Sequence, residues 1–389
     1  MQDRYLTRYE TILSDVGEKQ WNRLNQRNNP FLSYEFLEGI ERYNCVGGDS
    51  GWQPCHITLW KNDILVGALP LYSKLHSWGE FVFNFAWADA YAQHGLAYYP
   101  KLVSAIPFTP VVGQRFLCAE DDHAETISIK QQLIESAIGY AKESNYSSWH
   151  CLFPEDPGFS NELKTKNSLI LERWGYQFHW QNQHYQHFDD FLASMTSSKR
   201  KKIRRERRRV KEQGITLQTL TGHEISDQQW QVFYQYYLST FSKKNNYPAF
   251  TLEFFQNLGT TLPDQVLLIL AQYDGHNVAG AFFMRNATHL YGRHWGCLAE
   301  FHSLHFELCY YAAIEYCIVN GIDYFDAGAQ GEHKISRGFL PVKTRSLHWI
   351  AHEGFHHAID DFLCQERHGV SNYIEHVKTH SPFKNKGTS

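Results

Sequence analysis

The chain has 389 residues, which is enough for two domains that each bury a core of their own. Apolar residues make up 43% of the composition and aromatic residues 15%, which excludes an intrinsically disordered protein. The formal net charge of −4 excludes a protein that binds nucleic acid through its overall charge.

The cysteine pattern, the N-terminal residues and the apolar runs predict the cellular compartment. The eight cysteines are scattered without a CxxC pair, which argues against a disulfide framework and a zinc ribbon. Residues 1–21 carry charges throughout and have no apolar core, which is not typical of a secretory signal. The longest aliphatic run, 266–271, is far shorter than the roughly 20 residues that cross a bilayer. We therefore expect a cytoplasmic protein without a transmembrane segment.

The first half of the chain alternates helical and strand patterns. Helical patterns fill most of 1–45 and are interrupted at Asn29-Pro30. The patterns that follow predict a hairpin over 55–72, a strand over 79–91, a loop over 94–112, a helix over 127–145, a strand over 146–153, a helix over 163–176 and alternating aromatics over 178–188.

A basic run separates the two halves. Ten of the thirteen residues from Lys199 to Lys211 are basic, and the segment 199–213 is predicted to be a helix that ends at Gly214. The run is either a solvated helix face or a phosphate-binding surface, and its charge density favours a polyanionic partner. We place the domain boundary just before it, near residue 193.

The second half repeats the order of the first. The predicted hairpin at 267–284 matches the one at 55–72, with Asp274 opposite Asp63 in the turn. The helical pattern at 305–320 corresponds to the one at 130–145. This echo predicts two copies of one fold on a single chain.

The stretch 289–350 carries most of the functional information. It shows a short strand that ends in Gly292, a polar loop, a helix that ends at Asn320-Gly321, a buried strand, a Gly-rich loop over 328–343 and a last strand. This order is typical of the C-terminal half of an acyl-CoA N-acyltransferase (GNAT) fold, in which two central strands splay apart around the acyl donor.

Several long strings resemble one bacterial family. They are HLYGRHWGC, LHFELCYYAAIEY and AGAQGEHKISRGFLPV in the second half, and NPFLSYEFL and YYPKLVSAIPFTPVVGQRFL in the first. The chain is similar to peptidoglycan biosynthesis or recognition proteins, a Fem-like branch of the GNAT superfamily. The resemblance implies an α/β fold of two tandem GNAT-like domains, 1–193 and 194–389, each a mixed sheet with splayed central strands flanked by helices.

The resemblance implies an N-acyltransferase in which an amine attacks an activated acyl group directly. The expected donor is acyl-CoA as a co-substrate rather than a permanently bound cofactor, and the expected acceptor is an amine of a cell-wall precursor or amino compound. One alternative is a Fem-type enzyme that uses aminoacyl-tRNA, and another is a non-catalytic protein that recognises cell-wall precursors. Both stay open because the loop after the first central strand has only Gly296 and lacks the glycine spacing of a coenzyme A phosphate loop.

Candidate site residues concentrate in the second half. Glu332 and His333 are the predicted bases for the amine, and Lys334 and Arg337 are predicted to hold an anionic group. The other predicted catalytic residues are Glu307 and Tyr291. The other predicted substrate- or donor-binding residues are Arg293, His294, Trp295, Gly328, Gln330, Arg204, Arg205 and Arg208.

Three further features concern Asp326, the first half of the chain and metal binding. The direction of Asp326, into the cleft or into the sheet, depends on strand register and stays open. In the first half Asp89, Tyr91 and His94 line either an acceptor groove or a packed loop. No metal site is expected, because the 22 histidines do not cluster with cysteines or carboxylates.

Overall fold

The computed structural model describes residues 5–119, 122–155, 169–243, 245–328 and 331–384. The chain divides into two compact units. Unit 1 comprises Met1–Gly175 and Lys343–Asn372, and unit 2 comprises Tyr176–Val342 and Tyr373–Ser389.

This division differs in two places from the predicted domains 1–193 and 194–389. Residues 176–193 belong to unit 2, because Gln181 pairs with Tyr324 of that unit. Residues 343–372 belong to unit 1, because Ser346 pairs with Leu152. Both exchanges depend on strand pairing between residues far apart in sequence, which the local pattern does not report.

In its described residues before position 175, unit 1 is built from short strands and the four α-helices named below. Its strands are β1 (Leu6–Glu10), β2 (Trp52–Pro54), β3 (His56–Lys61), β4 (Ile64–Leu69), β5 (Tyr72–Lys74), β6 (Lys101–Ser104), β7 (Leu117–Cys118) and β8 (Ser148–Leu152), and its helices are α1 (Glu18–Asn22), α2 (Tyr34–Arg42), α3 (Phe85–Gln93) and α4 (His123–Glu143).

The strands of unit 1 form two groups. The first has the order β1-β3-β4-β7, and its apolar face shares a core with α4 through residues such as Ile57, Leu59 and Leu133. In the second group β2, β5, β6 and β8 are neighbours in that order. β6 runs parallel to β8, with Val103 opposite His150. The strand before α4 (β7) therefore does not pair with the strand after it (β8).

Unit 2 contains the basic helix and the second hairpin. Two strands, β9 (Ile170–Gln181) and β15 (Leu340–Ile350), lie partly in each unit. The other elements are α5 (Phe188–Ser194), α6 (Ser197–Glu212), β10 (Thr216–Thr221), α7 (Asp227–Lys243), α8 (Leu252–Thr261), β11 (Val266–Tyr273), β12 (His276–Arg285), β13 (His289–Cys297), α9 (Leu304–Phe306), a π-helical turn (Glu307–Ala312), α10 (Ala313–Val319), β14 (Tyr324–Asp326) and a 3₁₀ helix (Glu332–Arg337); α11 (Glu353–Lys378) begins in unit 1 and ends in unit 2.

The strands of unit 2 lie in the order β10-β11-β12-β13-β14-β9. β13 and β14 are parallel, and every other neighbouring pair in this order is antiparallel. One face packs on the helix pair α9–α10 in a core that includes Leu267, Phe283 and Ile314. The structure confirms the α/β class and the tandem GNAT-like arrangement predicted from the sequence.

Four local predictions from the sequence are wrong. The predicted strand over 79–91 forms an irregular segment followed by α3, and the predicted helix over 163–176 is strand β9 from Ile170 onward, while 163–168 lies outside the described residues. The predicted loop over 94–112 contains strand β6, which lies between Pro100 and Pro107. β1 occupies part of the predicted N-terminal helical region. In the last three cases a strand partner distant in sequence overrides the local pattern.

Over the part of the chain that the structure describes, no helix combines the length and apolar character that a bilayer span requires.

Candidate functional site

The two central strands of unit 2 part at Tyr291. β13 and β14 pair only from His289 to Tyr291, and β13 then continues to Cys297 while β14 ends at Asp326. The register between β12 and β13 shifts at the same point, so that Arg293 is an extra residue between two paired positions. A bulge re-aims a side chain and ends regular pairing. Arg293 therefore emerges where the strands separate.

Asp326 is the last residue of β14 and is buried at this point of separation. Its Oδ1 accepts a hydrogen bond of 2.8 Å from the backbone N–H of Gly328. The same oxygen lies 3.8 Å from Nε2 of His179, which is opposite Asp326 in β9. The register that the sequence left open therefore places Asp326 beside the splayed strands, together with His179.

Lys334 is the third charged group here. Its side chain is almost completely buried, and its Nζ donates to the carbonyl oxygen of Gly328. Burial lowers the pKa of Lys334 to about 8, although Asp326 acts in the opposite direction. Burial likewise lowers the pKa of Arg293 to about 10, again against the effect of Asp326.

We call His179, Arg293, Asp326 and Lys334 the Asp326 cluster. Burial lowers the pKa of His179 below its ordinary value, Asp326 opposes this shift and Lys334 adds to it. The imidazole is therefore neutral near pH 7, and the cluster carries two cations against one carboxylate. Excess positive charge in a partly buried position stabilises an anion that forms next to it.

The 3₁₀ helix after β14 carries the two predicted bases. Glu332 is exposed and accepts a hydrogen bond from the hydroxyl of Tyr373. His333 Nε2 lies 2.8 Å from the hydroxyl oxygen of Tyr310. Partial burial, followed by the charges of Arg337 and Lys334, lowers the pKa of His333. His333 is therefore unprotonated at neutral pH, as a proton acceptor must be.

Arg337 is held by the basic helix. Its Nη2 lies 3.1 Å from each carboxylate oxygen of Glu206, a buried residue of α6 that also accepts from Tyr311. Its Nη1 donates to the carbonyl oxygen of His333 at 2.8 Å, and its guanidinium lies 3.4 Å from the ring centroid of Phe306. Arg337 thus fixes the turn that carries His333, and its charge is already paired.

Glu307 is paired in the same way. Arg207 of α6 reaches Glu307 at 3.0 Å and Glu315 at 2.6 Å. Burial raises the pKa of Glu307, and Arg207 acts against this shift. The ion pair with Arg207 therefore occupies the carboxylate of Glu307, which the sequence predicted as a base. Glu307 begins the π-helical turn, and such turns often lie at functional sites.

The two faces of α6 differ. Ile203, Glu206 and Val210 are buried against unit 2. The outer face, which we call the basic stripe, exposes Lys201, Arg204, Arg205, Arg208, Arg209 and Lys211. Arg204 contacts the exposed Asp189 at 2.9 Å, and Arg208 lies 3.4 Å from Glu212. Both contacts are between exposed groups, so they neutralise little of the stripe.

Three other predicted site residues, Tyr291, His294 and Trp295, also lie in β13. The His294 ring lies among aromatic side chains of α7 and the α8 region, 4.9 Å from Tyr237 and 5.5 Å from Phe250, and burial lowers its pKa strongly. Trp295 packs edge-on against His305 at 4.9 Å, and Tyr291 is buried.

Gly296 lies inside β13 rather than in a phosphate loop. A Cβ on this residue would fall 1.9 Å from the carbonyl oxygen of Tyr236, so close packing against α7 requires glycine there.

The structure therefore brings together Arg293, Gly328 and Lys334 from the predicted set, with Asp326 beside them. Gln330 lies outside the described residues. Reasoning from the sequence missed His179, although a histidine between the buried Phe178 and Trp180 was a usable signal. In unit 1 the Tyr91 ring stacks on Phe355 at 4.0 Å, which supports the packed alternative to an acceptor groove at that residue.

Parallel central strands that part beside a buried charged cluster, in a tandem α/β arrangement, define a protein of the GNAT-like N-acyltransferase class of folds. The chain belongs to the FemAB-like family, described as peptidoglycan biosynthesis/recognition, whose family model matches residues 12–385. It is thus a member of a Fem-like branch related to the GNAT proteins.

Solved structures agree on the fold. The crystal structure of FemX has a TM-score of 0.52 at 12% identity, covering 84% of this chain and 94% of that one. The C-terminal domain of a putative lysylphosphatidylglycerol synthetase from Agrobacterium fabrum has a TM-score of 0.51 at 8% identity, covering 90% and 97%. At these identities the likeness concerns the fold alone. Among curated proteins, none matches the sequence significantly.

Proposed function

We propose that unit 2 transfers an acyl group from an activated donor to an amine, with the Asp326 cluster at the reaction centre. The observation that carries the proposal is the excess positive charge of this cluster at the point where β13 and β14 separate. Family membership supports an acyl- or aminoacyl-transferase of peptidoglycan metabolism.

The charges of the cluster match the needs of acyl transfer. Attack of an amine nitrogen on an acyl carbonyl forms a C–N bond and places negative charge on the carbonyl oxygen. Lys334 and Arg293 are the cations available to stabilise that oxyanion. Asp326 raises the pKa of both cations and, through Gly328, fixes the start of the loop that carries Lys334.

The proton of the attacking amine needs an acceptor. We assign this role to His333, which is neutral at pH 7 and is oriented by Tyr310 and by Arg337 through its carbonyl. Glu332 on the same turn is the alternative base. When the intermediate collapses, the bond from the acyl carbon to the leaving sulfur or oxygen breaks, and the leaving group takes up a proton.

For the donor we propose acyl-CoA, with a small molecule that bears an amine as the acceptor. The test is release of free thiol from acetyl-CoA in the presence of a panel of amines and aminated cell-wall precursors. Lys334→Met is expected to abolish the amine-dependent release, whereas Lys378→Met, at an exposed lysine of α11, leaves it unchanged. Thiol release that is equal in both variants contradicts the proposed centre.

The basic stripe favours a second donor, aminoacyl-tRNA. Six exposed cations on one helix face suit a long polyanion better than the few phosphates of coenzyme A. Arg204→Gln combined with Arg205→Gln and Arg208→Gln is expected to weaken tRNA binding in a gel shift and to flatten its dependence on salt. The inward-facing Arg207 is left unchanged so that α6 stays anchored. Binding of precursors without turnover of either donor would indicate a recognition protein instead.

A further inference from the structure

The segment Leu75–Phe85 of unit 1, between β5 and α3, has an inverted distribution of polarity. We call it the aromatic loop. The polar side chains of the loop and of the residue before it are buried, apart from the half-buried His76: Lys74, Ser77, Glu80 and Asn84. Its large apolar side chains are between 37 and 57% exposed: Leu75, Trp78, Phe81, Phe83 and Phe85. Burying charges while exposing aromatics is the reverse of ordinary loop composition.

Hydrogen bonds from three cationic side chains fix this arrangement. Lys101 of β6 donates to Ser77 at 2.9 Å, to Glu80 at 2.8 Å and to Asn84 at 3.2 Å. Lys74 donates to the carbonyl oxygen of Trp78 at 3.1 Å. At the other end of the loop, Arg173 donates to the carbonyl oxygen of Phe83 at 2.7 Å. These bonds hold the backbone so that the aromatic side chains face solvent.

The exposed surface has the size of an interaction site. An aromatic side chain presents about 150–250 Å², and five large side chains exposed by roughly half amount to on the order of 400 Å². The largest apolar patch on a typical monomer is about this size and is often a binding surface. Phe83 and Phe85 stack with their ring centroids 5.9 Å apart, so part of the surface is continuous.

The side chains of the loop indicate which kind of partner binds it. Over residues 75–85, all of which the structure describes, the only charged side chain is Glu80, and it is buried. A protein partner is ordinarily recognised with about one hydrogen bond per 100–200 Å², and here every polar side chain except the half-buried His76 is buried. Trp and Phe without exposed charge suit the boundary between lipid headgroups and acyl chains, which requires no specific hydrogen bonds.

We propose that the aromatic loop is a peripheral membrane-contact element that inserts Trp78, Phe83 and Phe85 into the interfacial layer of a lipid bilayer. The inference goes beyond the proposed acyl transfer and is independent of it. Because the loop presents no exposed charge, its binding depends on apolar contact and is insensitive to salt and to anionic lipid.

Flotation of the full chain with phosphatidylcholine vesicles tests the proposal. The wild type is expected to float with the vesicles equally in 0.1 and 0.5 M NaCl. Trp78→Ser combined with Phe83→Ser and Phe85→Ser is expected to reduce partitioning by at least about tenfold. The matched control combines Tyr247→Ser, Leu298→Ser and Val319→Ser, at highly exposed positions of unit 2, and is expected to partition as the wild type does.

Two results would overturn the inference. The first is a wild type that stays with the solvent fraction. The second is binding that requires phosphatidylglycerol and disappears in 0.5 M NaCl, which would assign it to the basic stripe. Loss of self-association in the loop variant, measured by sedimentation without any vesicle binding, would instead make the loop a contact between copies of the chain. Circular dichroism and thermal melting verify that each variant is folded.

Tryptophan fluorescence locates the contact independently. Of the 11 tryptophans, Trp78 alone is among the strongly exposed large apolar residues. Brominated lipids are therefore expected to quench the wild type, and Trp78→Phe is expected to lose most of this quenching while it still floats with the vesicles. Equal quenching of both proteins contradicts insertion at the loop.

Discussion

The two units use an arginine differently beside their parallel strand pairs. In unit 1 the guanidinium of Arg115 is buried and donates to the carbonyl oxygens of Leu152, Gly113, Gln114 and Val111. In unit 2 Arg293 is half-buried, and Asp326 raises its pKa while acting in the same direction on Lys334 and His179.

The strands show the same contrast. In unit 1 β8 pairs with the parallel strand β6. Beyond the two strands, Gly113 and Pro154 form an isolated parallel β-bridge. In unit 2 the pairing of β13 with β14 stops at Asp326, and no residue of β14 lies opposite the rest of β13. In unit 1 Arg115 is satisfied by backbone carbonyl oxygens, whereas in unit 2 Arg293 and Lys334 lie with Asp326 where the strands part. We therefore place the proposed reaction centre in unit 2.

The largest expected effect follows removal of a cation from the Asp326 cluster. Lys334→Met should lower kcat by about 10²–10³-fold, or roughly 3–4 kcal/mol, because one oxyanion-stabilising group is lost. Steady-state kinetics of acyl transfer measure it, with Lys378→Met as the control. A loss below about threefold would assign the cluster to structure rather than to reaction.

The corresponding change in unit 1 should act on stability instead. Arg115→Met leaves the carbonyl oxygens of Leu152 and Val111 buried without their donor, at a cost of about 3 kcal/mol of unfolding free energy. Urea denaturation measures the loss. Unaltered stability together with lost turnover would reverse the assignment of roles to the two units.

Within α6, the inner and outer faces provide a second contrast. Glu206→Gln weakens the buried pairing with Arg337 and should cost about 2 kcal/mol and disturb the turn that carries His333. Arg204→Gln on the basic stripe breaks only an exposed contact with Asp189 and should change stability by less than about 0.5 kcal/mol. Similar losses in the two variants would show that the stripe is structural.

The rate should also depend on pH. His333, whose pKa lies below its ordinary 6.5, must be neutral, so kcat should fall on the acid side below that value. Lys334 must be charged, so kcat should fall by up to about tenfold per pH unit above about 8. In Lys334→Arg the alkaline limb should move upward. An alkaline limb that does not move excludes Lys334 as its origin.

Lys334 also makes stability depend on pH. Its folded-state pKa, about 8, lies below the ordinary 10.5, so the unfolded chain binds more protons between these values. The free energy of unfolding relative to Lys334→Met should therefore rise as pH increases from about 8 to about 10.5. Thermal melting over this range checks the sign.

The sequence predicted features that short segments determine. The two hairpin turns at Asp63 and Asp274 both adopt positive φ, which the local turn residues favour, and the basic helix occupies nearly its predicted range. The direction of Asp326 could not be predicted, because its register depends on β13 and β9, which lie far away in sequence. For the same reason β9 was predicted in part as a helix, and His179 was not recognised beside Asp326.

Hydrogen–deuterium exchange with a bound donor tests the central assignment most directly, since it requires no knowledge of the acceptor. The chain is measured alone and with a saturating, non-hydrolysable acyl-CoA analogue, and separately with aminoacyl-tRNA. We predict that one of these donors slows exchange over β13, β14 and residues 331–338 of unit 2, and leaves β6 and β8 of unit 1 unchanged. Protection confined to β6 and β8, or absent with both donors, would contradict the assignment of acyl transfer to unit 2.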